Sequence, residues 1–283
     1  SRIIEMGKIQ KALTRAKAES SNASVRRRTS TAVNGSANDA PGLPAQDVPM
    51  LAAHATKLPL DIETLETNRV VVGSQPPGPA TSYKMLRTRM LHRISANNWQ
   101  SVAITSARTG AGKSLTAVNT AISLSQEQNQ QVILVDLDLR RPSVADVLGI
   151  RVKYGVVDYL EGKEPIEKIV TKTSFDRLLI LANHRNVDNS SEMLSSSRMK
   201  ELVRVACDPR NSTIVIFDLP PLLETDDFLA FSPLADAVML VVAEGETKQT
   251  DLHRSAEMIS NLDILGIVLN KSRGDEYPAG YYP

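Results

Sequence analysis

Short apolar runs alternate with longer amphipathic stretches along most of this chain. The runs SVAITS (101–106), QVILVD (131–136), RLLILA (177–182), TIVIFD (213–218), AVMLVVA (237–243) and LGIVLN (265–270) are bounded by polar or turn residues. Their length and their β-branched content predict strands. They are continuous rather than alternating in polarity, which predicts strands covered on both faces. Between them, KSLTAVNTAISLSQEQ (113–128) and EMLSSSRMKELVRVAC (192–207) have helical spacing. A further helix is predicted over SYKMLRTRMLHRI (82–94), with Tyr83, Leu86, Met90 and Ile94 on one face. Strands alternating with helices predict an α/β fold: a mostly parallel sheet with helices on both faces.

The first 80 residues read differently. SRIIEMGKIQKALTRAKAES places Ile3, Met6, Ile9, Leu13 and Ala16 near helical spacing, which predicts a short amphipathic helix over 1–19. That helix either docks on its own domain or meets a partner or membrane surface; its apolar face is too small to anchor a protein alone. The Ser-, Ala-, Asn- and Pro-rich stretch that follows has no periodic apolar face. Too little surface is available there to offset the entropy of ordering, so 20–79 is read as a disordered or loosely ordered linker.

Composition narrows the classes of function. A net charge of +1 over 283 residues gives no bulk attraction to nucleic acid or to an anionic membrane. The lone Cys207 rules out a disulfide framework within the chain and fits a reducing compartment. No apolar run is long enough to span a bilayer.

The stretch SARTGAGKS (106–114) connects a predicted strand to a predicted helix. A strand–turn–helix bearing Gly-x-Gly-Lys-Ser is the arrangement that cradles phosphate. Glycines let consecutive backbone N–H groups curl inward, and the helix dipole points at the same place. The expected nucleotide-binding residues are Arg108, Thr109, Gly110, Ala111, Gly112, Lys113, Ser114 and Leu115. Lys113 would reach the terminal phosphates and Ser114 would ligate Mg²⁺. Ala107 stands where the usual pattern has its first glycine.

Two of the strands end in carboxylates. VILVDLDLRRP places Asp136 at a strand's carboxyl end with Asp138 two residues on, and TIVIFDLPP places Asp218 at another. Ligands of open parallel sheets bind at that edge. Such acids hold Mg²⁺ or take a proton from a nucleophile. Arg140 and Arg141 are candidates for contact with phosphate or with a neighbouring chain. Asp226 and Asp227 either cap the helix beginning at Phe228 or serve a metal or switch role.

Taken together, TSARTGAGKSLTAVNTA, VILVDLDLRRP, VIFDLPPLL and LGIVLN resemble the bacterial tyrosine autokinases of polysaccharide export, within the MinD/ParA group of deviant Walker P-loop ATPases. The resemblance runs from about residue 70 to the end and includes GVVDYLEGKEPIEKIV and NSSEMLSSSRMKELV. It implies a kinase domain over 80–272 and a tyrosine-bearing tail over 273–283. Tyr277, Tyr281 and Tyr282, three of the chain's six tyrosines, would be the phosphoacceptors. It also implies ATP and Mg²⁺ as cofactors, with Lys113, Asp136 and Asp138 catalytic and Ser114, Asp138 and Asp218 around the metal. Asp136 is the expected base, with Asp138 as the alternative. Asn270 would contact adenine.

The implied partner is a membrane-spanning chain-length determinant, or co-polymerase. The protein would then be cytoplasmic and peripheral at the inner face of the bacterial inner membrane, a homo-oligomer, with no nucleic acid. Two features depart from the family. Its Glu-x-x-Arg-x-x-Arg assembly helix is met here by Thr81, Lys84 and Arg87, and Arg108 replaces the signature lysine of MinD and ParA proteins. An ATP-dependent switch of the same machinery without tyrosine transfer is the alternative reading.

Overall fold

The computed structural model describes residues 51, 53, 55–71, 78–208 and 212–272. Eight strands form one sheet: β1 (Thr56–Lys57), β2 (Ser101–Ser106), β3 (Gln131–Asp136), β4 (Thr171–Lys172), β5 (Leu178–Leu181), β6 (Thr213–Asp218), β7 (Ala237–Ala243) and β8 (Ile264–Asn270). Their order is β1-β4-β5-β3-β6-β2-β7-β8. Pairing is parallel throughout except between β4 and β5.

Ten helices connect the described strands: α1 (Ile62–Thr67), α2 (Pro79–Asn97), α3 (Lys113–Ser125), α4 (Val144–Leu148), α5 (Val156–Leu160), α6 (Ile166–Ile169), α7 (Ser190–Ser195), α8 (Ser197–Ala206), α9 (Asp227–Phe231) and α10 (Gln249–Met258).

The apolar runs of β2, β3, β5, β6 and β7 are used on both faces, as period-2 geometry requires; β8, expected to be covered on both faces, is an edge strand that leaves Ile267 and Leu269 exposed. Val102, Ile104, Val132, Leu134, Ile214 and Ile216 pack with Met90 and Ile94 of α2 and Ala117 and Ile122 of α3. Ala103, Ile133, Val135, Val215 and Phe217 face the other way, onto Val156, Leu194, Met199, Leu202, Phe228 and Phe231. The Phe217 and Phe231 rings meet edge to face at 4.8 Å. These two cores hold the sheet rigid and fix where its carboxyl ends lie.

Two expectations change. Part of the expected linker is built into the body: β1 pairs with β4, and Leu65 and Val70 are buried against the α3 side. Asp61 caps α1 by accepting from the Thr64 N–H at 2.9 Å. Leu65 stands alone among polar residues and Val70 opens a run of only three valines, too little to show a period. The single helix expected over 192–207 is two. Ser196 leaves helical geometry (φ −66°, ψ 161°) and its hydroxyl accepts from the Met199 N–H, capping α8. The expected helix at 1–19 and the tail at 273–283 lie outside the described residues.

Candidate active site

The register places the site. Asp136 and Asp218 are direct partners at the ends of β3 and β6, and β2 lies on the far side of β6. The chain leaves β2 at Ser106, turns, and enters α3 at Lys113. The turn needs positive φ at Gly110 (90°) and Gly112 (84°), which glycine adopts without strain. A side chain at Gly112 would also lie 2.3 Å from the Asn270 amide. That amide donates to the Ala111 carbonyl at 2.8 Å. Asn270, the residue expected at adenine, also buttresses the phosphate loop through its amide nitrogen. Ser106 Oγ donates to the Arg108 carbonyl at 2.8 Å and closes the other end.

Lys113 lies at the centre and is buried. Its Nζ is 2.7 Å from Asp138 Oδ2, 3.6 Å from Asp218 Oδ1 and 3.1 Å from Ser114 Oγ. Burial opposes its charge, but Asp218, Asp138 and Asp136 outweigh that and raise its pKa, so the ammonium persists. Asp136 is fully buried. Its Oδ2 accepts from the N–H groups of Ser143 and Val144, both at 3.0 Å, and its Oδ1 from the Asp138 N–H at 3.2 Å. Burial and the Asp218 charge push its carboxyl up to about 8. Asp218 is likewise raised, by burial foremost. Both its oxygens are buried without a hydrogen-bond partner, with Lys113 and the Ser114 hydroxyl nearby.

This arrangement fits a magnesium nucleotide. Three carboxyl groups crowd one ammonium, and the upward shifts of Asp136 and Asp218 mark ionised forms that a divalent cation would favour. The orphaned oxygens of Asp218 beside the Ser114 hydroxyl supply hard oxygen donors of the kind Mg²⁺ takes, sharing it with phosphate.

The rim contains groups that sequence reasoning missed. Arg108 does not turn to the phosphate side: its Nε and one terminal nitrogen grip Asp251 of α10 at 2.6 and 3.0 Å. Glu224 takes the Thr109 N–H at 2.7 Å and the Thr109 hydroxyl at 2.9 Å. Asn183 donates to the Asp136 carbonyl at 2.9 Å. None of the three lies in a motif; only the folded chain brings them to the loop. Asp227 neither caps a helix by its side chain nor faces the cradle. It is buried and accepts from Arg140 at 3.1 Å and Ser190 at 2.8 Å. Leu115 is half-buried and packs on the α3-side core. Tyr277, Tyr281 and Tyr282 lie outside the described residues.

Known proteins share this layout. The profile of the ParA family, described as NUBPL iron-transfer P-loop NTPase, matches residues 98–275. Tyrosine-protein kinase YwqD of Bacillus subtilis is 34% identical over 205 residues, covering 71% of this chain and 84% of YwqD. The chain belongs to the bacterial tyrosine kinases of the ParA-type P-loop group. The kinase is also 30% identical over 217 residues to the succinoglycan biosynthesis transport protein ExoP of Rhizobium meliloti, covering 74% of this chain but 27% of ExoP. It therefore spans most of YwqD and about a quarter of ExoP. Among solved structures, the VpsO kinase domain superimposes on the kinase with a TM-score of 0.61 at 27% identity, covering 69% of this chain and 96% of that domain.

Proposed function

We propose that this chain is a Mg-ATP-dependent tyrosine kinase that phosphorylates the tail tyrosines Tyr277, Tyr281 and Tyr282 of a second copy of itself. It acts within machinery that makes and exports a polysaccharide. The observation that supports this most is Lys113, held between Asp138 and Asp218 at the mouth of a phosphate cradle.

The amides from Thr109 to Leu115 and the dipole of α3 hold phosphates. Ser114, Asp138 and Asp218 hold Mg²⁺. Bound ATP supplies the γ-phosphoryl group, and ADP departs with the electron pair of the broken β–γ bond. Lys113 stabilises the charge that spreads over the transferred group. The tyrosine oxygen forms the new bond to phosphorus and its proton passes to a carboxylate. Asp136 is the proposed base, because its raised carboxyl lies near working pH. Asp138 is the alternative. The partner is a membrane-spanning co-polymerase, which would place the kinase at the inner face of the membrane. Among the described residues no helix is long and apolar enough to cross a membrane.

The test is phosphotyrosine formation on adding Mg-ATP to the purified protein. Lys113→Met should lower it about 100-fold or more. Changing the three tail tyrosines to Phe should remove most of it. Phosphate release without phosphotyrosine would favour the ATP-dependent switch. One observation keeps that reading in view: Arg87, the one residue that agrees with the family's assembly helix, is spent within its own protomer. It binds the Ser123 carbonyl at 3.1 Å and Glu127 at 3.0 Å.

A further inference from the structure

Four charged side chains lie on or just beyond the phosphate loop and the turn after β3, and three have fixed partners. Arg108 is bidentate on Asp251, Arg140 is held by buried Asp227, and Glu224 is bidentate on Thr109. The fourth is Arg141. It is exposed and makes no ion pair among the described residues. Its one side-chain contact is long, 3.4 Å to Thr109 Oγ1. Its backbone is not loose, since the Arg141 N–H donates to Asp138 Oδ1 at 3.1 Å. A residue whose cation has unused donors is therefore anchored by its backbone beside the Lys113–Asp138 pair.

The tail suggests what such a cation would read. Asp275 and Glu276 immediately precede Tyr277, whereas Tyr281 follows Ala279 and Gly280, and Tyr282 follows Gly280 and Tyr281. A tyrosine whose hydroxyl reaches the Lys113–Asp138 centre draws its preceding residues over the rim. Those residues lie within about 3–7 Å of extended chain from the tyrosine. A guanidinium pairs with a carboxylate there through two parallel hydrogen bonds. We infer that Arg141 is a specificity-determining residue that selects tyrosines preceded by acidic residues, so that Tyr277 is the preferred acceptor of the tail. This rests on the kinase reading above and deepens it.

The test uses the full chain with its three tail tyrosines changed to Phe, and two peptides in trans, GDEYPAG and GNQYPAG. The acidic peptide should show a KM about two- to fivefold lower at similar kcat, the scale of a well-formed surface charge pair. Arg141→Gln should erase that difference, and Arg141→Lys should restore part of it. Raising salt from about 50 mM to about 500 mM should narrow it in the parent and leave Arg141→Gln unmoved.

A second arm leaves the folded domain intact. Asp275→Asn with Glu276→Gln in the otherwise native chain should shift phosphotyrosine from Tyr277 towards Tyr281 and Tyr282. Equal KM values for the two peptides would overturn the inference while the kinase reading stands. So would a rise in the KM for ATP, rather than for peptide, in Arg141→Gln. Phosphorylation of neither peptide nor tail would remove the kinase reading and this inference with it.

Discussion

At the scale of residues, the centre of the site is an imbalance: three buried carboxylates around one ammonium. The consequence for stability has a definite sign. An unfolded aspartate titrates at about 3.9, whereas Asp136 in the fold is raised to about 8. Between those values the folded chain keeps a proton that the unfolded chain has lost. Stability of the nucleotide-free protein contributed by this group is therefore full below about pH 4 and is lost as pH rises through about 8. Thermal unfolding between pH 5 and pH 8 should show this decline, measured as a falling Tm. Asp136→Asn, a neutral mimic of the protonated acid, should flatten it; an unchanged slope would mean that Asp136 is ionised in the fold. The carboxylates were legible in the sequence because strand ends next to a Gly-x-Gly-Lys-Ser turn have few alternative uses. Glu224 and Asp251 were not. Neither ends a strand or lies in a recognisable motif, and only the path of the chain brings it to Thr109 or Arg108.

At the scale of elements, six strands were readable because each is an apolar run flanked by polar residues, buried in all but the edge strand β8. The two-residue strands β1 and β4 are too short to show any period, and the five-residue helices α4, α5 and α9 show barely one turn. The segment 69–71 is held by a device with no sequence signature. Asn119 of α3 accepts from the Val71 N–H at 2.8 Å and donates to the Arg69 carbonyl at 3.3 Å. This ties the chain before α2 to the helix that begins at the phosphate loop. Asn119→Leu leaves both backbone groups without partners, which costs about 1–3 kcal/mol. For a domain of this size that is a Tm drop of about 3–10 °C. Hydrogen exchange at residues 55–71 should rise in the variant, while exchange in β3 and β6 should change far less. Uniform acceleration across the sheet would show that Asn119 holds the core rather than the strap.

At the scale of the whole molecule, the loops after β2, β3 and β6 come from separate stretches of chain and meet only at this edge of the sheet. A ligand that binds all three stabilises the fold as a unit. At about 100 times its Kd, Mg-ADP should add about 2.7 kcal/mol, a Tm rise of about 5–10 °C. Asp218 makes this a test of the site rather than of ligand binding in general. Its two oxygens are fully buried with no closer partner than a 3.6 Å ion pair to Lys113, which weakens the empty fold, yet they are the groups assigned to the metal. Asp218→Asn should therefore act in opposite directions. Without ligand it removes the cost of burying the Asp218 charge and raises the Tm; with Mg-ADP it loses most of the ligand-induced rise. Functional residues commonly carry this cost in the unliganded state. If Asp218→Asn instead lowered the Tm without ligand and kept the full Mg-ADP shift, Asp218 would be a structural partner of Lys113. The magnesium site would then have to be rebuilt around Ser114 and Asp138 alone.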